Sequence, residues 1–154
     1  MASADMETPE IRQFVSFRID NLLMGIDILK VREVNMLLNI TPVQHAPDFV
    51  RGLINLRGQT VIVFDLGVIM GRPMRTLTDE SHNLILKADD VGLLVDNIGE
   101  IIDVFDNEIE ILPSNIDLPT GRYVESVVKL ENELMMIVST EKILNSSGNE
   151  IVEV

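Results

Sequence analysis

The sequence predicts an all-β protein made of two small β-barrels that share an interface. Three observations support this prediction: apolar residues alternate with polar ones over short runs, turn residues separate these runs, and the pattern repeats within the chain. Of the 154 residues, 46% are hydrophobic, with five Phe, one Tyr and no Trp. A chain of this length and composition can bury a core without disulfides or metals.

The first predicted β-hairpin lies near the N-terminus. In the segment FVSFRI, residues Val15, Phe17 and Ile19 share one face of a strand, Asp20-Asn21 forms the turn, and LLMGI is the returning strand. Asp27 is then a candidate cap for a helical or 3-10 turn, because apolar residues follow it at intervals of three.

A second hairpin is predicted in the middle of the first half. The segments GLINL and TVIVF are its strands, and Arg57-Gly58-Gln59 joins them. Asp65 is positioned to cap a short helix, LGVIM, which Gly71-Arg72-Pro73 ends.

The chain contains an internal repeat. A shift of 67 residues aligns the pattern G-h-x-h-x-x-h-x-E-h, where h is apolar, at Gly25 and again at Gly92. A shift of 74 residues aligns LINLRGQTVIVFD with VVKLENELMMIVS, so strand, turn, strand and capping residue recur in the same order, with Ser139 in the place of Asp65. Each half has about five short strands, too few for a two-sheet sandwich but enough for a barrel that closes its own edges. We infer a duplicated β unit.

The repeat divides the chain as follows. We expect a flexible arm at residues 1–11, a folded domain at residues 12–144 and a tail at residues 145–154, with approximate β units 12–80 and 81–144 whose strands could be exchanged between the barrels. Gly25 and Gly92 fall inside predicted strands, where glycine indicates a bulge or a close approach of a partner element.

Charge and composition argue against several classes of function. Twelve Lys and Arg against 25 Asp and Glu give a net charge of −13, which disfavours binding to nucleic acid or to anionic membranes. The chain has no cysteine, and neither a secretory signal nor an apolar run of membrane-spanning length is evident. We expect a cytoplasmic protein without membrane insertion.

The sequence shows no recognisable set of catalytic residues. The sequence lacks glycine-rich phosphate-binding loops, and the two histidines, His45 and His82, stand apart from any metal-ligand or catalytic spacing. The acidic run at positions 103, 106, 108 and 110 lacks the turn glycine and terminal glutamate of a calcium loop and is typical of a solvated strand edge. We expect no catalytic residue, no metal and no cofactor.

Arg57, at the tip of an apolar hairpin, is the residue whose role the pattern leaves open. Its counterpart in the repeat is Glu131, whereas Glu33 and its counterpart Glu100 are both acidic. In one interpretation Arg57 is solvated, or pairs with Glu33, and does nothing more. In the other, the guanidinium is braced by Glu33 and presents its donors to a protein partner.

Four segments resemble successive motifs of the CheW coupling proteins of bacterial chemotaxis. They are FRIDNLLMGIDILKVREV, ITPVQHAPDFVRGLINLRGQTVIVFDL, VGLLVDNIGEII and EILPSNID. The resemblance extends from about Phe14 to Leu144, and APDFVRGLINLRG is its most specific part. Gly67 is a departure, because the family often has arginine after "DL".

The resemblance implies a fold and a set of partners. The implied fold is two five-stranded SH3-like β-barrels, with short helices, around a shared hydrophobic core. The implied function is that of a non-enzymatic adaptor between the cytoplasmic tip of methyl-accepting chemotaxis receptors and the regulatory domain of the histidine kinase CheA. Contacts between CheW copies in rings are a further option that the resemblance raises.

The resemblance also implies site residues. It places a receptor-binding groove at Val31, Glu33, Arg57, Ile98 and Ile101. It matches Gly52 and Gly92 to glycines that serve partner contact or structure.

Three alternatives stay open at the level of sequence. The chain could serve a non-flagellar pathway such as gliding, pilus or developmental signalling. It could be a separated regulatory fragment of a kinase or of a CheV-type protein, although it has neither a receiver nor an ATP site. A small hydrolase or ligand-binding barrel is the third alternative.

Overall fold

The computed structural model describes residues 8–36, 38–112 and 119–145, and most of these residues lie in strands of two sheets. The strands are, in chain order, β1 (Ile11–Ile19), β2 (Leu22–Asp27), β3 (Val31–Asn35), β4 (Val50–Leu56), β5 (Gln59–Asp65), β6 (His82–Leu86), β7 (Val91–Val95), β8 (Asn97–Phe105), β9 (Ile109–Ile111), β10 (Val124–Lys129) and β11 (Leu134–Val138). The helices are α1 (Leu66–Ile69) and α2 (Pro119–Tyr123), and residues 140–145 are also helical. Two 3-10 turns span Ile28–Lys30 and Asp106–Glu108.

Both predicted hairpins are confirmed. Strand β1 pairs antiparallel with β2 through the turn at Asp20, and β4 pairs with β5 through the turn at Arg57. The predicted arm is one residue too long, because Ile11 already belongs to β1, where it pairs with Phe105 of β8. The rest of the arm before residue 8, and the tail after residue 145, lie outside the described residues.

The predicted caps are confirmed by their hydrogen bonds. Asp27 Oδ1 accepts from Leu29 N at 2.9 Å, and Asp65 Oδ1 accepts from Val68 N at 3.1 Å. Ser139 Oγ accepts from Lys142 N at 3.2 Å, which begins the helical segment that the repeat predicted. The turn after Asp27 is shorter than its apolar spacing indicates, because the chain from Val31 onward pairs with β6 as strand β3.

Each sheet corresponds to one of the two predicted barrels. The first barrel has the strand order β3-β6-β7-β5-β4, and reciprocal backbone bonds of 2.8 Å between Thr41 and Leu53 bring the chain after β3 back onto β4. The second has the order β8-β1-β2-β11-β10-β9, and only the 3-10 turn Asp106–Glu108 separates its end strands β8 and β9. The all-β, two-barrel fold is therefore confirmed, with the three-residue strand β9 added to the predicted five in the second barrel.

The barrels do not coincide with the two halves of the chain. The first is built from residues 31–95, whereas the second combines β1 and β2 with strands from the second half. The repeat is visible in the register, since Gly25 pairs with Ile137 across a parallel contact and Gly92 pairs with Val63 in the same way. In each case a strand from one half lies beside a strand from the other.

The core has three parts. A cluster shared by both barrels includes Phe17, Met24 and Ile26 from the second barrel and Phe64 and Leu93 from the first. Two smaller clusters fill the barrels individually, around Val61 and Ile85 in the first and around Phe14, Met135 and Ile137 in the second. Burial of apolar surface between the barrels makes them one packed unit.

None of the helices in the described part of the chain is both long and apolar enough to cross a lipid bilayer.

Candidate partner-binding surface

The β4–β5 turn projects the Arg57 side chain from one end of the first barrel. Arg57 has φ 52° and Gly58 has φ 86°, so both central residues adopt the left-handed backbone of a tight two-residue hairpin turn. Asn55 Oδ1 accepts from Gly58 N at 2.8 Å and holds the turn closed. The Arg57 side chain is 72% exposed, which leaves most of its donors accessible.

Glu33 holds the exposed guanidinium in one place. Arg57 Nη1 donates to Glu33 Oε1 at 2.7 Å, and Asn35 Nδ2 donates to the other carboxylate oxygen at 3.1 Å. These two hydrogen bonds hold the pKa of the Glu33 carboxyl below its ordinary value, and the carboxylate in turn raises the pKa of Arg57. The pair stays ionised near neutral pH, with an orientation set by β3.

Further polar residues surround this pair, and no pattern in the sequence indicated that they belong to the site. Gln59 Nε2 donates to Asp90 Oδ1 at 2.6 Å, and Arg32 Nη2 lies 3.3 Å from the same oxygen. These contacts connect β3, the first residue of β5 and the β6–β7 turn. Only the fold brings these residues, which are 27 to 58 positions apart, together.

The three predicted apolar site residues differ in exposure. Val31, on β3, is buried at 9% exposure in the shared core. Ile98, on β8, is half-buried and packs against that same core. Ile101 is 52% exposed and pairs with Val15 on β1. Since Glu33 and Arg57 belong to the first barrel and the two isoleucines to the second, the predicted site extends over both barrels.

Two further exposed apolar residues lie beyond Ile101, at the end of β8 and at the start of β1. Phe105, on the same face of β8, is 46% exposed, and Ile11, its partner on β1, is 61% exposed. The sequence did not single out either residue as part of a site, although odd-numbered apolar positions along β8 could have indicated it. Ile11 and Phe105 form an exposed apolar pair at the edge of the second barrel, and the exposed Asp103 separates this pair from Ile101 along β8.

The two predicted glycines have steric roles in the fold. Gly52 has φ 143° at a register shift between β4 and β5, and a Cβ there would overlap the Thr41 carbonyl oxygen. A Cβ on Gly92 would lie 2.9 Å from Ile85 Cδ1. The pairing is regular at Gly25 and Gly92, so the bulge alternative is wrong there, because packing side chains rather than a register shift crowd these positions.

The acidic run at positions 103–110 is exposed to solvent, and Glu108 Oε1 accepts from Phe105 N at 2.7 Å. Within the part of the chain that the structure describes, no three His, Asp or Glu side chains are grouped so that they could hold a metal ion.

Comparison with known proteins identifies the family. The family model for the CheW-like domain matches residues 13–148. The chain is 28% identical to the chemotaxis protein CheW of Bacillus subtilis (strain 168), over 96% of this chain and 95% of that protein. It is also 28% identical to the chemotaxis protein CheW of Thermotoga maritima, over 86% of this chain and 87% of that protein.

A solved structure has the same architecture. The crystal structure of the scaffolding protein TtCheW from Thermoanaerobacter tengcongensis superposes with a TM-score of 0.83 at 29% identity, covering 94% of this chain and 99% of that chain. The family match over most of the chain and the shared two-barrel fold agree, and the chain therefore belongs to the family of CheW-like domains.

Proposed function

We propose that this chain is a non-enzymatic adaptor that couples methyl-accepting chemotaxis receptors to the histidine kinase CheA in the cytoplasm. The relatives at 28% identity are named as chemotaxis proteins, and the similar crystal structure is named as a scaffolding protein. An adaptor needs defined surfaces rather than a reaction centre, and it changes kinase activity by changing what the kinase is held against.

The observation that best supports the proposal is the geometry of Arg57. A largely exposed guanidinium is held by a 2.7 Å hydrogen bond to a carboxylate whose other oxygen is also bonded. A cation fixed in this way loses little conformational freedom on binding, which favours recognition of a polar protein surface. The proposed partner at this point is the polar tip of the receptor's helical hairpin.

The apolar part of the proposed receptor groove lies on the second barrel. Ile98 and the exposed Ile101 would pack against apolar residues of the same hairpin, while Arg57 and Glu33 bind its polar face. A groove formed by both barrels would contact two sides of one hairpin. The relative orientation of the barrels would then affect affinity directly.

The regulatory domain of CheA is the second proposed partner, and contacts between copies of this chain in receptor arrays are a third. Each contact can be individually weak, because assembly of several linked partners raises the effective concentration of every further contact. The output of the pathway, whether flagellar rotation, gliding or pilus movement, depends on which receptor and kinase bind.

The proposal is tested by reconstitution with receptor-bearing membranes and CheA from the same organism. Phosphorylation of CheA is measured with receptor alone, with this chain alone and with both. We expect kinase activity to change strongly only when all three components are present, and to respond to receptor ligand. Failure of this chain to co-sediment with either the receptor membranes or CheA would contradict the adaptor function.

A further inference from the structure

Arg75 is a buried arginine in the irregular segment between α1 and β6. Only 6% of its side chain is exposed. Its Nη1 donates to Asp20 Oδ1 at 2.8 Å and to Asp96 Oδ2 at 3.1 Å, and its Nη2 donates to Pro73 O at 2.8 Å. The proposed receptor groove does not include this residue.

The backbone of Arg75 is attached to the first barrel. Its N–H donates to Asp65 Oδ2 at 2.8 Å, and its carbonyl oxygen accepts from Arg51 Nη1 at 2.7 Å. Asp65, the fully buried end of β5, also binds Arg51 at 3.2 Å. Arg51 lies on β4, so both anchors of the Arg75 backbone belong to the first barrel.

The guanidinium of Arg75 reaches the second barrel. Asp20 is in the β1–β2 turn, and Asp96 lies between β7 and β8, where the chain passes from the first barrel to the second. Asp20 N donates to Asp96 Oδ2 at 2.6 Å, and Arg72 Nη1 donates to Asp20 Oδ2 at 2.9 Å. Arg75 thus joins two side chains of the first barrel to the carboxylates of the β1–β2 turn and of the β7–β8 junction, and Arg72 adds a further bond to Asp20.

Gly67 provides the space that the Arg75 side chain occupies. A Cβ on Gly67 would lie 2.5 Å from Arg75 Nε and 2.9 Å from its Cδ. Any larger side chain at position 67 would displace the guanidinium.

We propose that Arg75 fixes the relative orientation of the two barrels and is therefore a positioning residue for every surface that both barrels form. The hydrophobic effect that buries the shared core is not itself directional. The planar guanidinium, in contrast, requires its acceptors at fixed distances and angles. Loss of Arg75 leaves the core in place but removes this directional constraint.

The test measures the distance between the barrels directly. Because the chain has no cysteine, the pair Thr60→Cys and Asn132→Cys places one spin label on an exposed position of each barrel. Electron-spin resonance should give a narrow distance distribution for the otherwise unchanged chain. We expect Arg75→Met to broaden or shift this distribution while the far-ultraviolet circular dichroism stays the same.

Arg12→Met is the control for loss of an arginine ion pair, since the 2.9 Å pair between Arg12 and Asp27 lies within the second barrel alone. Its distance distribution should match that of the unchanged chain. If Arg75→Met does not fold, Arg75→Lys and Gly67→Ala replace it in the test. Arg75→Lys keeps the positive charge but lacks the planar guanidinium with its several donors. Gly67→Ala displaces the guanidinium from its place.

An unchanged distribution in folded Arg75→Met, or in both of the milder variants, would overturn the proposal. The distance measurement needs no partner. Its outcome is therefore independent of whether the receptor proposal holds.

Discussion

Arg57 donates to Glu33 across 2.7 Å, and this hydrogen bond joins the β4–β5 turn to the edge strand β3 of the same barrel. The two residues are 24 positions apart in the chain, and 72% of the arginine side chain is exposed while only 22% of the glutamate side chain is. The carboxylate is therefore placed to orient the cation at the surface where the partner is proposed to bind.

The first prediction concerns the protonation of Glu33. Its pKa in the folded chain lies below 4.5, the ordinary value, chiefly because Arg57 donates to it. The stabilising effect of the pair is thus complete above the pKa of the unfolded chain and is lost as the pH falls through the lower, folded value. Carboxyl chemical shifts followed over an acid titration should show the low pKa, and Arg57→Ala should raise it.

Because Asn35 still donates to Glu33 in Arg57→Ala, the pKa should return only part of the way to 4.5. Lys129→Ala serves as the control, since this cation pairs with Glu110 in the other barrel. A Glu33 pKa that does not move in Arg57→Ala would show that the hydrogen bond is absent in solution.

The second prediction compares two isoleucines of β8. Ile98→Asp places a charge against the shared core, and we expect it to lower the free energy of unfolding by about 2 kcal/mol and to weaken receptor binding. Ile101 is exposed, so Ile101→Asp should change the free energy of unfolding by less than ~0.5 kcal/mol while still weakening receptor binding.

Urea unfolding and titration with a labelled receptor-tip hairpin give the two quantities for both variants. Wild-type affinity in Ile101→Asp would remove this residue from the proposed groove. Unchanged stability and affinity in Ile98→Asp would show that the groove is placed wrongly.

The third prediction concerns Gly52. Alanine there combines φ 143° with an overlap of Cβ and a backbone carbonyl, so we expect a loss of about 3 kcal/mol in the free energy of unfolding. Gly58→Ala is the control, because its φ is also positive but its Cβ would meet open space. The control should lose only about 1 kcal/mol. Equal losses in urea unfolding would contradict the steric role of Gly52.

The fourth prediction concerns Gly92 and the fully buried Ile85. Gly92→Ala brings a methyl group within 2.9 Å of Ile85 Cδ1, which should cost roughly 1–3 kcal/mol. Ile85→Val removes that Cδ1 atom, so the double variant should lose less than the sum of the two single losses. As a control, the stability loss of Ile19→Val, on β1 of the other barrel, should simply add to that of Gly92→Ala. If the stability losses of Gly92→Ala and Ile85→Val add strictly in the double variant, the contact with Ile85 is not the reason why position 92 requires glycine.

The local parts of the fold were predictable because they depend on neighbouring residues. Alternation placed Val15, Phe17 and Ile19 on one face of a strand, and single polar side chains at Asp27, Asp65 and Ser139 began the turn and helices that follow them. The extent of the turn after Asp27 was not predictable, because pairing with β6 makes the chain from Val31 onward a strand.

The remaining features depend on contacts between distant residues. Gly25 looked like a candidate bulge, but a Cβ there would meet Met135 Sδ at 2.9 Å, a side chain 110 positions away in the chain. Arg75 gave no signal because it lies in an irregular segment and its acceptors Asp20 and Asp96 are 55 and 21 positions away. In the site, the charges of Arg57 and Glu33 were recognisable from the sequence, whereas the exposure of Ile101 required the fold.

The most direct test of the adaptor account is a titration of a labelled receptor-tip hairpin with the wild-type chain, Arg57→Ala and Lys129→Ala. The two cations are matched, with 72% and 73% of their side chains exposed and a glutamate partner each. We expect saturable binding that weakens at least several-fold in Arg57→Ala and stays at the wild-type level in Lys129→Ala, with all three proteins folded. Equal binding by all three, or no binding by the wild-type chain even with the CheA regulatory domain added, would contradict the account.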